Sequence, residues 1–197
     1  MDFNSSKTKE CVARAFAGEC QDGARYQFMA KSAVSEGFSF ISDQLKILAK
    51  NEMAHASRLY SLMVKYIGNG KDNVPIEAGY PFEKSELKTS LKIASEIEDN
   101  EATSLYPAFA KIAKDEGFPE IAEALSLIAK VEETHRDKLK ALANLYRANK
   151  LYKNPEKIMW TCSNCGHCET KKEAWQNCPL CGYGQGYVEV PQAKMQI

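Results

Sequence analysis

The chain has 197 residues, enough for one well-formed core and a small second module. Its 26 Lys+Arg balance 26 Asp+Glu, and a net charge of zero argues against nucleic acid or an anionic membrane surface as the main partner. Seven cysteines, an odd number, fit poorly with a secreted disulfide framework. The opening stretch MDFNSSKTKECVARA lacks the apolar run of a secretory signal, and no segment is apolar over the ~18 residues a membrane span needs, so a reducing cytoplasm is the expected setting.

From Ser6 to Lys150 the chain is rich in Ala, Leu, Lys and Glu, with apolar residues at helical period. Breaks fall at Ser35-Glu36-Gly37, at Gly68-Asn69-Gly70 through Pro81, and at Glu116-Gly117-Phe118-Pro119. They divide the stretch into four expected helices, roughly 6–36, 39–67, 83–116 and 119–149. Gly37 and Gly117 suit the left-handed residue after a helix end, and Pro119 suits a first helical turn. The short first and third connections make antiparallel hairpins, and the longer middle one crosses the bundle.

The inward faces read as alternating steps of three and four. The first helix gives Val12, Phe16, Glu19, Gly23, Tyr26, Ala30 and Ala33, and the second Ile41, Leu45, Leu48, Glu52, His55, Leu59 and Leu62. The third gives Leu87, Leu91, Ala94, Glu98, Glu101, Leu105, Ala108 and Ile112, and the fourth Ile121, Leu125, Ile128, Glu132, His135, Leu139, Leu142 and Tyr146. Each apolar series is interrupted near its middle by Glu or His and then resumes. Four interruptions at one level meet in one polar pocket.

Residues three apart share a helix face, so Glu52/His55 and Glu132/His135 each reach one site. Glu19 and Glu98 lie one helix and a turn upstream of those pairs, at the same height. One Glu from each of two helices plus Glu-x-x-His from each of the other two is the arrangement of ferritin-like di-iron and di-manganese bundles. Carboxylate-rich ligation suits iron or manganese better than copper, and bridging glutamates hold two ions close enough to share one O–O unit. Without a metal, five buried glutamates would protonate or open the bundle. Tyr26 and Tyr106, about two turns after Glu19 and Glu98, are either core filler or phenols that hydrogen-bond a ligand carboxylate. Pro107 should kink the third helix and free the carbonyl of Thr103.

After Lys150 the helical period ends. Residues 151–159, with Asn154-Pro155, read as a linker, and 160–197 as a small module of turns and short strands that needs a metal to hold it. Cys162-x-x-Cys165 and Cys178-x-x-Cys181 have the spacing of one tetrahedral four-thiolate site, with Gly166 and Gly182 allowing tight turns over the sulfurs. Spacing alone fits a structural zinc or a one-electron iron equally, and the neighbouring redox site favours iron. His167 and Cys168 lie inside the module, while Cys11 and Cys20 are read as small buried or surface thiols.

Over nearly its whole length the chain resembles the rubrerythrin family. The resemblance rests on Phe16-Ala17-Gly18-Glu19, Asn51-Glu52-Met53-Ala54-His55, Glu98-Asp99-Asn100-Glu101, Leu105-Tyr106-Pro107 and Val131-Glu132-Glu133-Thr134-His135, with Cys162 to Cys181 similar to that family's rubredoxin-type domain. It implies a mainly α fold, a four-helix ferritin-like bundle with a long crossover over 1–150, joined by the linker to a rubredoxin-like four-cysteine module. It also implies a peroxidase that reduces hydrogen peroxide to two waters. Glu52 and Glu132 would bridge two irons, Glu19 and Glu98 would be terminal ligands, His135 would hold one iron, and His55 and Glu101 would alternate on the other. A third iron on Cys162, Cys165, Cys178 and Cys181, or a zinc in its place, would stand at the chain's end. The implied electron donor is a rubredoxin or an NAD(P)H-linked reductase. The departures are Cys20, where the family often has Ser, His167, where an aromatic is usual, and the extra Cys168.

The fourth helix runs about 22 Å beyond His135. A head-to-tail homodimer or larger homo-oligomer, one chain's cysteine module serving its partner's bundle, would shorten the electron path. The rival expectation is ferritin-like iron oxidation and storage.

Overall fold

The structure is a computed structural model describing residues 1–68, 70, 73–82 and 86–195. The first hairpin is α1 (Lys7–Ser35) and α2 (Ser39–Ile67). The second is a broken rod, α3 (Leu87–Asn100), a π-helical turn (Glu101–Leu105) and α4 (Tyr106–Asp115), followed by α5 (Pro119–Arg147). The expected start of the third helix, residues 83–85, lies outside the described residues. α1 packs along α2, and α5 packs along both parts of the broken rod.

The two hairpin turns are near copies. Gly37 (φ 85°) and Gly117 (φ 87°) take the left-handed conformation that only glycine adopts cheaply. The N–H groups of Gly37 and Phe38 close onto the carbonyls of Val34 and Ala33, and those of Gly117 and Phe118 onto Lys114 and Ala113. The residue before each glycine reaches across the molecule. Glu36 accepts from the Leu87 N–H at the start of α3, and Glu116 accepts from Lys7 and Thr8 at the start of α1. A carboxylate there satisfies orphan amides and meets the positive end of the helix dipole.

The bundle core is split in two. Val12, Leu59, Leu62, Phe109, Ile121 and Leu125 cluster on one side, and Ile41, Leu45, Leu48, Leu91, Leu139 and Leu142 on the other. Between them lies a buried layer containing Glu19, Glu52, Glu98, Glu132 and His135.

The third rod departs from expectation. Instead of a simple proline kink there is a π turn, with the Tyr106 N–H bonded to the carbonyl of Glu101. Pro107 then sits in the first turn of α4, where its missing donor matters least. The extra residue of the turn shifts the inward face. Tyr106, Phe109 and Ala113 are buried, whereas Ala108 is exposed and Leu105 and Ile112 are only half-buried.

Beyond α5 the stretch expected as a linker holds strand. β1 (Lys153–Thr161) pairs antiparallel with β2 (Cys168–Glu173), with an irregularity between Lys153 and Ile158 that spans Pro155. A proline cannot donate to the ladder, so a breaker in the sequence becomes a bulge in an edge. Trp160, Trp175, Val188, Cys162 and Cys178 form this module's small core. The module stands on the end of the bundle marked by the α1–α2 turn. Leu151 and Val190 join the cluster of Leu45 and Leu142. A Cβ on Gly186 would lie 1.6 Å from the carbonyl oxygen of Gly37, so only glycine fits there. Lys194 donates to the carbonyls of Lys150 (2.6 Å), Leu151 (3.2 Å) and Lys153 (2.6 Å), pinning the chain where helix becomes strand.

Candidate metal centres

Two overlapping groups form inside the bundle, Glu19–Glu52–His55–Glu132 and Glu52–Glu98–Glu132–His135, each with its ligand atoms within 4.8 Å of one another. Glu52 and Glu132 belong to both. Glu52 places Oε2 3.1 Å from His55 Nδ1 and Oε1 3.0 Å from His135 Nδ1. Glu132 does the same, with Oε1 3.0 Å from His55 and Oε2 2.7 Å from His135. Glu19 stands 3.2 Å from His55, and Glu98 stands 3.9 Å from His135. Each helix supplies its part because the interruption falls on its inward stripe.

These distances are short, yet Glu52 Oε1, Glu98 Oε2, both oxygens of Glu132 and Nδ1 of His135 are buried with no directed hydrogen bond. Lone pairs that converge without a shared proton are the donor set of a cation site. The protonation balance agrees. Burial, with neighbouring carboxylates adding to it, pushes Glu19 up to about 8 and Glu98 well above the usual range. Burial alone would lower the imidazoles and raise Glu132, but the pairing overrides it, holding His55 at about 12, His135 at about 9 and Glu132 at about 2. Protons here do what bound cations do better: they neutralise charge that burial makes unfavourable.

Both tyrosines resolve toward the site. Tyr26 donates to Glu98 Oε1, and Tyr106 donates to Glu19 Oε1 at 2.5 Å. Each therefore steadies the carboxylate of the opposite hairpin. Glu101 is buried but belongs to neither group. As first residue of the π turn it faces a cavity beside Gly18 and Tyr80. Sequence reasoning missed two neighbours. Asn51 has its amide 3.2 Å from His135 Nε2, and a flip of that amide would let it accept the ring N–H when Nδ1 binds metal. Asp22, buried and paired with Arg25 at 3.0 Å, is raised to about 6, chiefly by burial. Its signal was its place one turn after Glu19.

The second centre is in the C-terminal module. Cys162 and Cys181 Sγ lie 3.8 Å apart, and Cys165 and Cys178 Sγ 3.6 Å apart, with all four thiols free. A tetrahedron with metal–sulfur bonds of about 2.3 Å has edges of about 3.8 Å, so the cage fits one ion. Gly166 (φ 75°) and Gly182 (φ 76°) close the two knuckles onto the carbonyls of Cys162 and Cys178. The Tyr183 N–H lowers Cys181 to about 6, the direction that favours thiolate. His167 and Cys168 lie outside the cage, His167 against Trp175 and Cys168 exposed.

Comparison with known proteins gives the family. A family model described as rubrerythrin matches residues 10–143. This chain belongs to the rubrerythrin family. It is 39% identical over 189 residues to the rubrerythrin of Clostridium perfringens, covering 95% of this chain and 96% of that protein. A solved nigerythrin in a mixed-valence state superposes with a TM-score of 0.62 at 23% identity, covering 97% of this chain and 94% of that one. A bacterioferritin of Desulfovibrio desulfuricans, a protein with a diiron site, superposes with a TM-score of 0.66 at 18% identity, covering 73% and 82%. These two likenesses establish the ferritin-like fold. Rubrerythrins are oxidoreductases of oxidative-stress defence that use electron donors and often form homo-oligomers. The carboxylate–histidine groups and the four-cysteine cage fit the iron cofactors of that family. Among the described residues no helix is long and apolar enough to cross a membrane.

Proposed function

We propose that the protein is a peroxidase that reduces hydrogen peroxide to water. The observation that carries the reading is the division of Glu52 and Glu132, each with one oxygen toward His55 and the other toward His135. Carboxylates so placed would hold two ions, and an iron pair there would supply the two electrons that reduce an O–O bond. Glu19 and Glu98 serve as terminal ligands, held by Tyr106 and Tyr26. His135 stays fixed by Asn51. Glu101, buried beside the site and facing the cavity, would be the residue that alternates with His55 in holding one ion, and it is placed to relay protons from the cavity.

Cys162, Cys165, Cys178 and Cys181 would hold an iron that supplies electrons singly, drawn from a rubredoxin or an NAD(P)H-linked reductase. Within one chain the module meets the bundle where Gly186 touches Gly37, about 25 Å along α2 from His55, a long path for an electron. A head-to-tail homodimer, bringing a partner's cysteine module to this bundle, completes the path. A ferritin-like storage cage is disfavoured because the chain continues after α5 into strands and a cysteine cage.

The test combines metal content, the visible spectrum and anaerobic peroxide consumption with a reduced rubredoxin. About three irons per chain are expected, two in the carboxylate site and one on sulfur. Changing Cys162 to Ser should leave the pair loaded and stop donor-driven turnover. Turnover that survives this change refutes the relay, and iron-loaded protein inert to peroxide refutes the activity. A shell of many subunits on sizing refutes the dimer.

A further inference from the structure

Beside the buried layer lies a cavity of about 360 Å³ that the peroxide chemistry does not use up. Its inner end is polar, formed by Glu101, Asp22 and Tyr106, whose hydroxyl is bonded to Glu19. Its walls carry Ile93 and Ile97 from α3, Leu105 from the π turn and Phe109 from α4, with the polar Gln21, Glu96 and Asn100 also lining it. Its roof is the crossover over 78–81, held to α1 by the Tyr80 hydroxyl donating to the carbonyl of Arg14 at 3.3 Å. The arginine also lines the cavity, its guanidinium 5.4 Å from the Phe109 ring centroid.

Size decides what the cavity suits. A water occupies about 30 Å³ of liquid, so a two-oxygen molecule fills only a small part of it. Cavities that bind small organic ligands run from about 300 to 1,000 Å³, are mostly apolar and carry a few convergent polar groups at one end. This cavity has that size and that polarity, and its polar end abuts the carboxylate site.

Resting on the peroxidase reading, we propose that the cavity takes the organic half of an alkyl hydroperoxide and that the protein reduces such compounds as well as hydrogen peroxide. The O–O end meets the Glu101–Tyr106 end, and the alkyl group lies against Ile93, Ile97 and Phe109. The reaction is ROOH plus two electrons and two protons giving ROH and water. The O–O bond breaks, the hydroperoxide is reduced, and the electron donor already named is oxidised. The alcohol leaves beneath the 78–81 roof.

The experiment uses full-length, iron-loaded protein, reduced with dithionite and freed of excess. It is mixed anaerobically with cumene hydroperoxide or hydrogen peroxide, and the rate of re-oxidation and the yield of cumyl alcohol are measured. The rate constant for cumene hydroperoxide should lie within about tenfold of that for hydrogen peroxide. Ile93→Trp fills the wall, and Ala78→Trp blocks the exposed roof without touching the core. Each should lower the ratio of the two rate constants by at least about tenfold. A wild type that reacts with hydrogen peroxide but more slowly than that with cumene hydroperoxide overturns the proposal, as does a ratio unmoved in both variants. If neither peroxide reacts, the peroxidase reading itself has failed. Calorimetry with cumyl alcohol then still decides the cavity: binding lost in Ile93→Trp supports the assignment, and no binding to the wild type ends it.

Discussion

The two hairpins are built on one plan, and they differ by one residue. In α1, Tyr26 follows Glu19 by seven residues along an unbroken helix. In the second hairpin Tyr106 follows Glu98 by eight, and the π turn absorbs the surplus. Both tyrosines end in equivalent places, each bonded to the other hairpin's glutamate. An insertion that leaves the ends in register must change what lies between them. Here it turns Glu101 inward, buried beside the site, and gives Pro107 a place without a clashing carbonyl. The symmetric part of the bundle supplies the candidate cation groups, and the broken symmetry sets Glu101 beside one of them. π turns recur at functional sites.

The largest effect expected on this comparison comes from the symmetric part. Glu132→Ala or Glu52→Ala removes a carboxylate shared by both groups and should abolish iron binding in the bundle while the four-cysteine iron stays, as metal analysis would show. The next tests the surplus residue. Deleting exposed Ser104 restores seven-residue spacing and forces Pro107 into a regular helix, which should cost about 3 kcal/mol in chemical denaturation. Adding Pro107→Ala should recover most of that loss. If the deletion is as harmful with alanine as with proline, the register account fails. Smaller still, Tyr26→Phe and Tyr106→Phe should each destabilise by about 1–3 kcal/mol, and nearly equally, because each leaves one buried carboxylate oxygen without its donor. Widely unequal losses would show that the equivalence is only geometric.

A further effect is on pH. Glu19, Glu98 and Glu101 have folded pKa values raised by burial, so their contribution is present below about pH 4.3 and is lost as pH climbs toward the folded values. His55 and His135, raised to about 12 and about 9 by their carboxylate partners against burial, contribute below about pH 6.5 and lose that contribution above it. Glu132, lowered to about 2, matters in the opposite sense and only below about pH 4.3. Between pH 5 and pH 8 the metal-free protein should therefore lose stability as pH rises. A change of about 1 kcal/mol moves the melting temperature by about 2–4 °C at this size. Iron-loaded protein, in which cations replace those protons, should be nearly flat over the same range. A metal-free protein that gains stability toward pH 8 would contradict the protonation balance.

Much of this was legible in sequence. The ligands could be read because a charged residue on an apolar stripe is a local contradiction, and four such contradictions at one height have one economical resolution. Glu98 and His135 needed no more than helical period. The π turn was not legible in the same way. Leu105, Ala108 and Ile112 are as apolar as Tyr106, Phe109 and Ala113, so a slip of one residue leaves the pattern acceptable. The visible clue was the difference between seven and eight. Residues 151–159 misled for another reason: Asn154-Pro155 marks an interruption, and a bulged edge strand interrupts as a linker does. Asn51 stood in a stretch that carries the resemblance but showed no role of its own, since a polar residue beside the stripe is ordinary until the imidazole beyond it is placed.

The pinch between Gly186 and Gly37 makes a short helix connection the footing of the sulfur cage. Lengthening that connection by a single residue in a chimera would leave both sets of ligands whole and still alter the gap between them. This glycine pair governs neither chemistry, only how far one redox centre stands from the other.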